Sequence, residues 1–249
     1  ERDGDDRALP LVQALAALAE PTRGRPARQR REPRAGDLLE AIEGEDHDAA
    51  MGIARRLAAE ADPEEVRRRF IEAASMHHLS YGHGIIYTQK AFELLDLVGW
   101  DKADLVLHEL ALATTWGTRE DTLPYMRKAV AEVAALDLGA LATTPVDPEW
   151  NDPQLVDVLL DLDDAPIVAA VAALEAGAGV EHLLDAVTIA VSRRLLRYDL
   201  DIEFDLDESF GWLDITHGLT TARAARWAWR AHPSPATIRQ ALWAVWLCH

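Results

Sequence analysis

From Gly36 to the carboxyl end the chain is rich in Ala, Leu, Glu and Arg, and its apolar residues recur at spacings of three and four. Only an α-helix turns that period into one continuous buried face, and alternating strand patterns are almost absent. An all-α helical bundle is therefore expected. At 249 residues with 49% hydrophobic composition, the chain is long enough to bury one substantial core.

Local signals place the helices. Asp62-Pro63-Glu64-Glu65 marks a helix start: Asp caps free amides, Pro fits the first turn, and two acids face the positive end of the dipole. Val66, Phe70, Ala73, Ala74 and His77 then share one face. Helix from Thr88 should stop at Gly99. Further helices are expected over 101–116, 119–136, 153–161, 164–177, 180–198, 212–231 and 235–247, with an acidic loop over 199–209. Residues 8–20 read as a short helix. Residues 21–34 hold six arginines and a single acid and read as a solvated linker. This divides the chain into an amino-terminal segment, 1–35, and one helical domain, 36–249.

Segment 46–81 can be laid on 163–198 without a gap, pairing Leu57 with Leu174, Ser75 with Ser192, Leu79 with Leu196 and Tyr81 with Tyr198. After a gap, Leu107-His108 falls on Thr216-His217. The expectation is a bundle built from two diverged, pseudo-two-fold related helical repeats, about 36–145 and 146–249. The halves differ in chemistry, because Arg194 and Leu195 stand where the first half has His77 and His78.

Lys and Arg total 25 against 43 Asp and Glu, a formal charge of −18, which disfavours nucleic acid or an anionic membrane as partner. Cys248 is the only cysteine, which excludes an intrachain disulfide, a four-cysteine zinc site and a cysteine-held iron–sulfur cluster. A reducing cytoplasm is the expected compartment. No apolar run reaches the roughly 20 residues needed to span a bilayer.

The histidines carry the chemical signal. Imidazole is a common ligand for iron, zinc, copper and nickel, and helices of a bundle can converge such ligands in its core. Helix phase turns His77 inward, with His78 about 100° round the helix as second choice. The Tyr81-Gly82-His83-Gly84 turn should interrupt the helix and re-aim His83. Tyr87 and Lys90 follow His83 at four and seven residues, on one face, as candidate catalytic groups. His77, His83, His108 and His217 are the expected metal ligands, with Glu109 and Asp214 as carboxylates that could orient them. His47-Asp48 lacks the spaced histidines of a helical phosphohydrolase. Trp212, Trp227, Trp229, Trp243 and Trp246 read as core, and His182 and His232 as surface.

Met76-His77-His78-Leu79 and Leu213-Asp214-Ile215-Thr216-His217-Gly218-Leu219-Thr220 resemble segments of the questin oxidase-like family, and Leu107-His108-Glu109 is a looser match. The run from Tyr81 to Lys90 also resembles a bacterial helical module associated with Rieske-type ferredoxin domains. The resemblance implies a non-haem iron oxygenase that uses dioxygen on a small organic molecule of aromatic polyketide type, with a ferredoxin or Rieske-type electron donor and a modified lysine. Two other classes fit the residues: a non-catalytic helical repeat module that binds a partner protein, and a zinc-dependent hydrolase.

Overall fold

The computed structural model describes residues 12–13, 16–17, 20, 23–26, 29–160, 165–205, 207 and 211–248. Residues 1–31 form one unit and 32–249 another. In the first, Val12, Gln13, Ala16 and Ala17 are helical, and the rest of the expected 8–20 helix lies outside the described residues.

The second unit is all-α. Its helices are α1 (Leu38–Glu43), α2 (His47–Glu60), α3 (Pro63–Met76), α4 (His83–Val98), α5 (Ala103–Trp116) and α6 (Arg127–Ala134). They continue as α7 (Leu138–Thr143), α8 (Leu155–Leu159), α9 (Pro166–Glu175), α10 (Gly179–Leu196), α11 (Trp212–Ala231) and α12 (Pro235–Trp246). Among the described residues the sole β-type pairing is an isolated antiparallel bridge between Leu79 and Arg119. No described helix is long and apolar enough to cross a membrane.

Capping sets the boundaries as the sequence suggests. The Asp62 carboxylate accepts from the Glu64 amide, Pro63 occupies the first turn of α3, and α4 stops at Gly99. Two expectations shift. The 119–136 stretch breaks into 3-10 turns at Glu120–Thr122 and Pro124–Met126 before α6, and the acidic segment contains a 3-10 turn, Leu200–Phe204. Pro124 explains the first break, since it cannot donate to a helix begun at Glu120.

One core cluster lies among α1–α5, where Phe70 and Phe92 meet edge to face with ring centroids 5.9 Å apart. A second fills α6–α12 around Leu183, Val187, Ile238 and Leu242. A small third cluster, Ile71, Ala74, Ile85, Ala224 and Ala228, packs α3 and α4 against α11, and Trp227 joins it to the first. Trp243 is buried as expected, but Trp212 is 47% exposed at the start of α11.

The two halves do not pair their helices alike. In the first, α2 runs along α5 and the Arg55–Asp104 ion pair ties them together; in the second, the most extensive pairing is α10 with α11. On the sequence alignment those partners should have been α9 with α11. Gly218 permits the close α10–α11 contact, because a Cβ there would stand 2.8 Å from Val191 Cγ2.

The connection from α3 to α4 is the most constrained segment of the fold. Ser80, Tyr81 and Gly82 have φ of 47°, 56° and 88°, three successive residues in the left-handed region. The Ser80 amide donates to the Thr118 carbonyl and Ser80 Oγ accepts from the Thr118 amide, both at 2.8 Å. On the other side the turn presses on α11: a Cβ on Gly82 would lie 2.0 Å from Thr221 Oγ1. Gly82→Ala is therefore expected to cost about 1–3 kcal/mol. Adding Thr221→Ala should recover part of that loss. Denaturant unfolding of both variants checks it, and a wild-type midpoint for Gly82→Ala would contradict it.

Candidate functional site

The turn at 80–82 starts α4 at His83 and aims its imidazole at α11. There it meets His217, with the two Nε2 atoms 3.1 Å apart and the rings nearly perpendicular at a centroid separation of 4.7 Å. Both residues are partly buried. Tyr87, one helical turn after His83, stacks on its ring at 5.0 Å and 19°. Tyr81 lies 5.9 Å from the His217 ring. Four aromatic rings from two helices and one strained turn thus form a continuous group.

The first turn of α11 holds His217 in place. Asp214 accepts from the Gly211 amide at 2.8 Å, fixing the start of the helix one turn before the histidine. Burial, together with the neighbouring His217, lowers the pKa of His83, while the Ser80 carbonyl acts in the opposite direction. Desolvation raises the Tyr81 pKa, reinforced by the Glu120 and Asp214 carboxylates, so its hydroxyl keeps its proton. Beside it, Tyr125 donates to the buried Glu120 carboxylate at 2.5 Å, and burial raises the Tyr125 pKa further.

The other expected ligands lie elsewhere. His77 does not continue the inward face of α3, because the helix ends at Met76 and His77 is extended, with φ −120° and ψ 157°. Its ring sits between two carboxylates, with Nδ1 2.7 Å from Asp121 Oδ2 and Nε2 2.9 Å from Glu43 Oε2. Ionised carboxylates only accept, so both ring nitrogens must carry protons. Asp121 foremost, with Glu43, raises the His77 pKa accordingly. An imidazolium has no lone pair for a metal, which removes His77 from the expected set.

His78, the second choice, is 1% exposed and packs near Trp243, with ring centroids 6.4 Å apart. His108 is buried in α5, where its Nδ1 lies 2.9 Å from Glu109 Oε1. Lys90 points to the surface and pairs with Glu93 at 2.7 Å, too occupied to serve His83. His232 is partly buried against Glu72, 3.2 Å away, rather than free on the surface. Cys248 is buried, and desolvation pushes its thiol up to about 12, where it is a poor nucleophile.

Among the described residues, no group of three or more His, Cys, Asp or Glu side chains is arranged to hold a metal ion. The expected four-histidine set therefore reduces to one converging pair, His83 and His217. Sequence reasoning missed Tyr81, Glu120 and Tyr125 beside that pair, and Glu43 and Asp121 around His77. The Tyr81-Gly82-His83-Gly84 motif pointed at the first, but nothing in the sequence relates Glu43 to His77 or Asp121.

Because the folded-state pKa of His77 lies above the ordinary value of about 6.5, its clasp contributes fully below that pH and fades as pH rises through the folded-state value. Between wild type and His77→Gln, the stability gap should be about 1–3 kcal/mol near pH 6 and narrow toward pH 9. Urea unfolding across that range measures it. A gap that widens with pH would contradict the clasp.

No protein-family model, no curated protein and no solved structure matches this chain.

Proposed function

We propose that the His83–His217 pair is the chemical centre of a metal-dependent oxidoreductase, a non-haem iron oxygenase acting on a small organic molecule. The observation that carries this reading is the 3.1 Å separation of the two Nε2 atoms. Two imidazoles bound to one ion at about 2.0–2.1 Å have nitrogens about 2.9–3.4 Å apart for angles between square and tetrahedral. The pair therefore fits two neighbouring positions on a single ion. His83 and His217 would hold the ion. Bound iron would supply dioxygen activation.

The chain's own residues have distinct parts in this proposal. Tyr87 covers one face of the His83 ring and fixes its plane. Tyr81 keeps its phenolic proton and stands beside His217, where its hydroxyl would serve as a hydrogen-bond donor at the centre. Tyr81, Tyr87 and Tyr125 are 42%, 49% and 48% exposed, an open aromatic rim suited to a flat organic substrate. A ferredoxin or Rieske-type protein would supply electrons from outside the chain. The internal repeat enters as a diverged duplication whose halves have since paired their helices differently, leaving one centre rather than two.

Anaerobic loading with ferrous iron, followed by desalting and metal analysis of untagged protein, tests the proposal. Close to one equivalent is expected for wild type and for Lys90→Ala, and less than a tenth for His83→Ala and His217→Ala. Cobalt(II) titration should give visible ligand-field bands that both histidine variants lose. Wild-type protein that retains less than a tenth of an equivalent of any transition metal would overturn the reading.

A further inference from the structure

We propose that α3 and α12 enclose an ordered-water site bounded by Ser75, His78, Gln240, Trp243 and Asp121, distinct from the His83–His217 centre. Ser75 Oγ, both ring nitrogens of His78, Gln240 Nε2 and Trp243 Nε1 are buried and have no hydrogen-bond partner in the protein. The four residues are 0%, 1%, 1% and 3% exposed. His78 and Trp243 are ring neighbours, with centroids 6.4 Å apart, and Ser75 and Gln240 belong to the same two packed segments. Ser75 is in the last turn of α3 and His78 just beyond it, while Gln240 and Trp243 are one turn apart on α12. α3 packs against α12, and Arg239 Nη1 lies 3.2 Å from Met76 Sδ, fixing the register of the two segments.

A dry contact is energetically untenable. Each buried polar atom left unpaired carries its full desolvation penalty, so five together would consume much of the stability of a typical domain. A guest must satisfy them, and their chemistry selects it. The indole N–H and the carboxamide N–H groups can only donate, while a neutral imidazole offers one donor and one acceptor. Asp121 Oδ1 is a buried acceptor that also lacks a partner, and its charge acts on both His78 and Arg239. An anion is opposed by Asp121. A metal cation is opposed by the donor-only groups and by the neighbouring His77 imidazolium. Water both donates and accepts, which meets every requirement at once.

A crystal structure at high resolution and the thermal stability of two variants of the whole 249-residue chain test this together. Water density within hydrogen-bond distance of at least two of the four side chains is expected. His78→Leu and Trp243→Phe should each lower Tm by about 2–6 °C, because each strips a partner from the bound water. Should His78→Leu fail to fold, Ser75→Ala takes its place, since it deletes one unpaired hydroxyl with little change in shape and is expected to lower Tm likewise. If the contact is dry, removing an unpaired polar group stabilises the protein. A contact without water, or a raised or unchanged Tm in a folded variant, would overturn the proposal.

Discussion

The left-handed turn at Ser80–Gly82 is the constraint on which the candidate site depends. Two non-glycine residues with positive φ are costly, each by about 1–3 kcal/mol, and persist only where their surroundings over-determine them. Here the surroundings do so from both sides. Paired hydrogen bonds between Ser80 and Thr118 hold one flank, and the contact of Gly82 with Thr221 on α11 holds the other. The consequence is geometric. α4 begins at His83, and its first side chain faces α11 instead of following the phase of α3.

The histidines of this chain illustrate how one residue type is divided among tasks by its neighbours. His77, placed between Asp121 and Glu43, is an electrostatic clasp joining the end of α1, the end of α3 and the 120–122 turn. His78, one residue on, has no charged contact close enough to offset desolvation, and its pKa falls to about 4. Adjacent residues are thus shifted in opposite directions, one toward the imidazolium and the other toward the neutral ring. Among the described residues, His83 and His217 direct their imidazoles at each other in a partly open setting, with the rings of Tyr87 and Tyr81 beside them.

Helix existence and most helix limits were legible from the sequence, because capping and three-to-four periodicity are local. Asp62-Pro63 and Gly99 acted where they stand in the chain. The site was legible only in part. Tyr81-Gly82-His83-Gly84 announced a re-aimed histidine, and Tyr87 at four residues further on was bound to share its face. His77 was misplaced because helix phase was carried one residue past the end of α3, where the backbone becomes extended.

The all-α class, the net acidic charge, the exclusion of an intrachain disulfide and the interruption before His83 were determined by the sequence itself. All follow from composition or from interactions spanning a few residues. Which histidines meet was decided only by the tertiary structure. His83 and His217 are separated by 134 positions, and His77 finds Glu43 and Asp121 at 34 and 44. The His83–His217 encounter depends on how α3 and α4 pack against α11 through Ile71, Ile85, Ala224 and Ala228. Apolar burial is non-directional, so the sequence pattern specifies which faces are buried without specifying which helices bury one another.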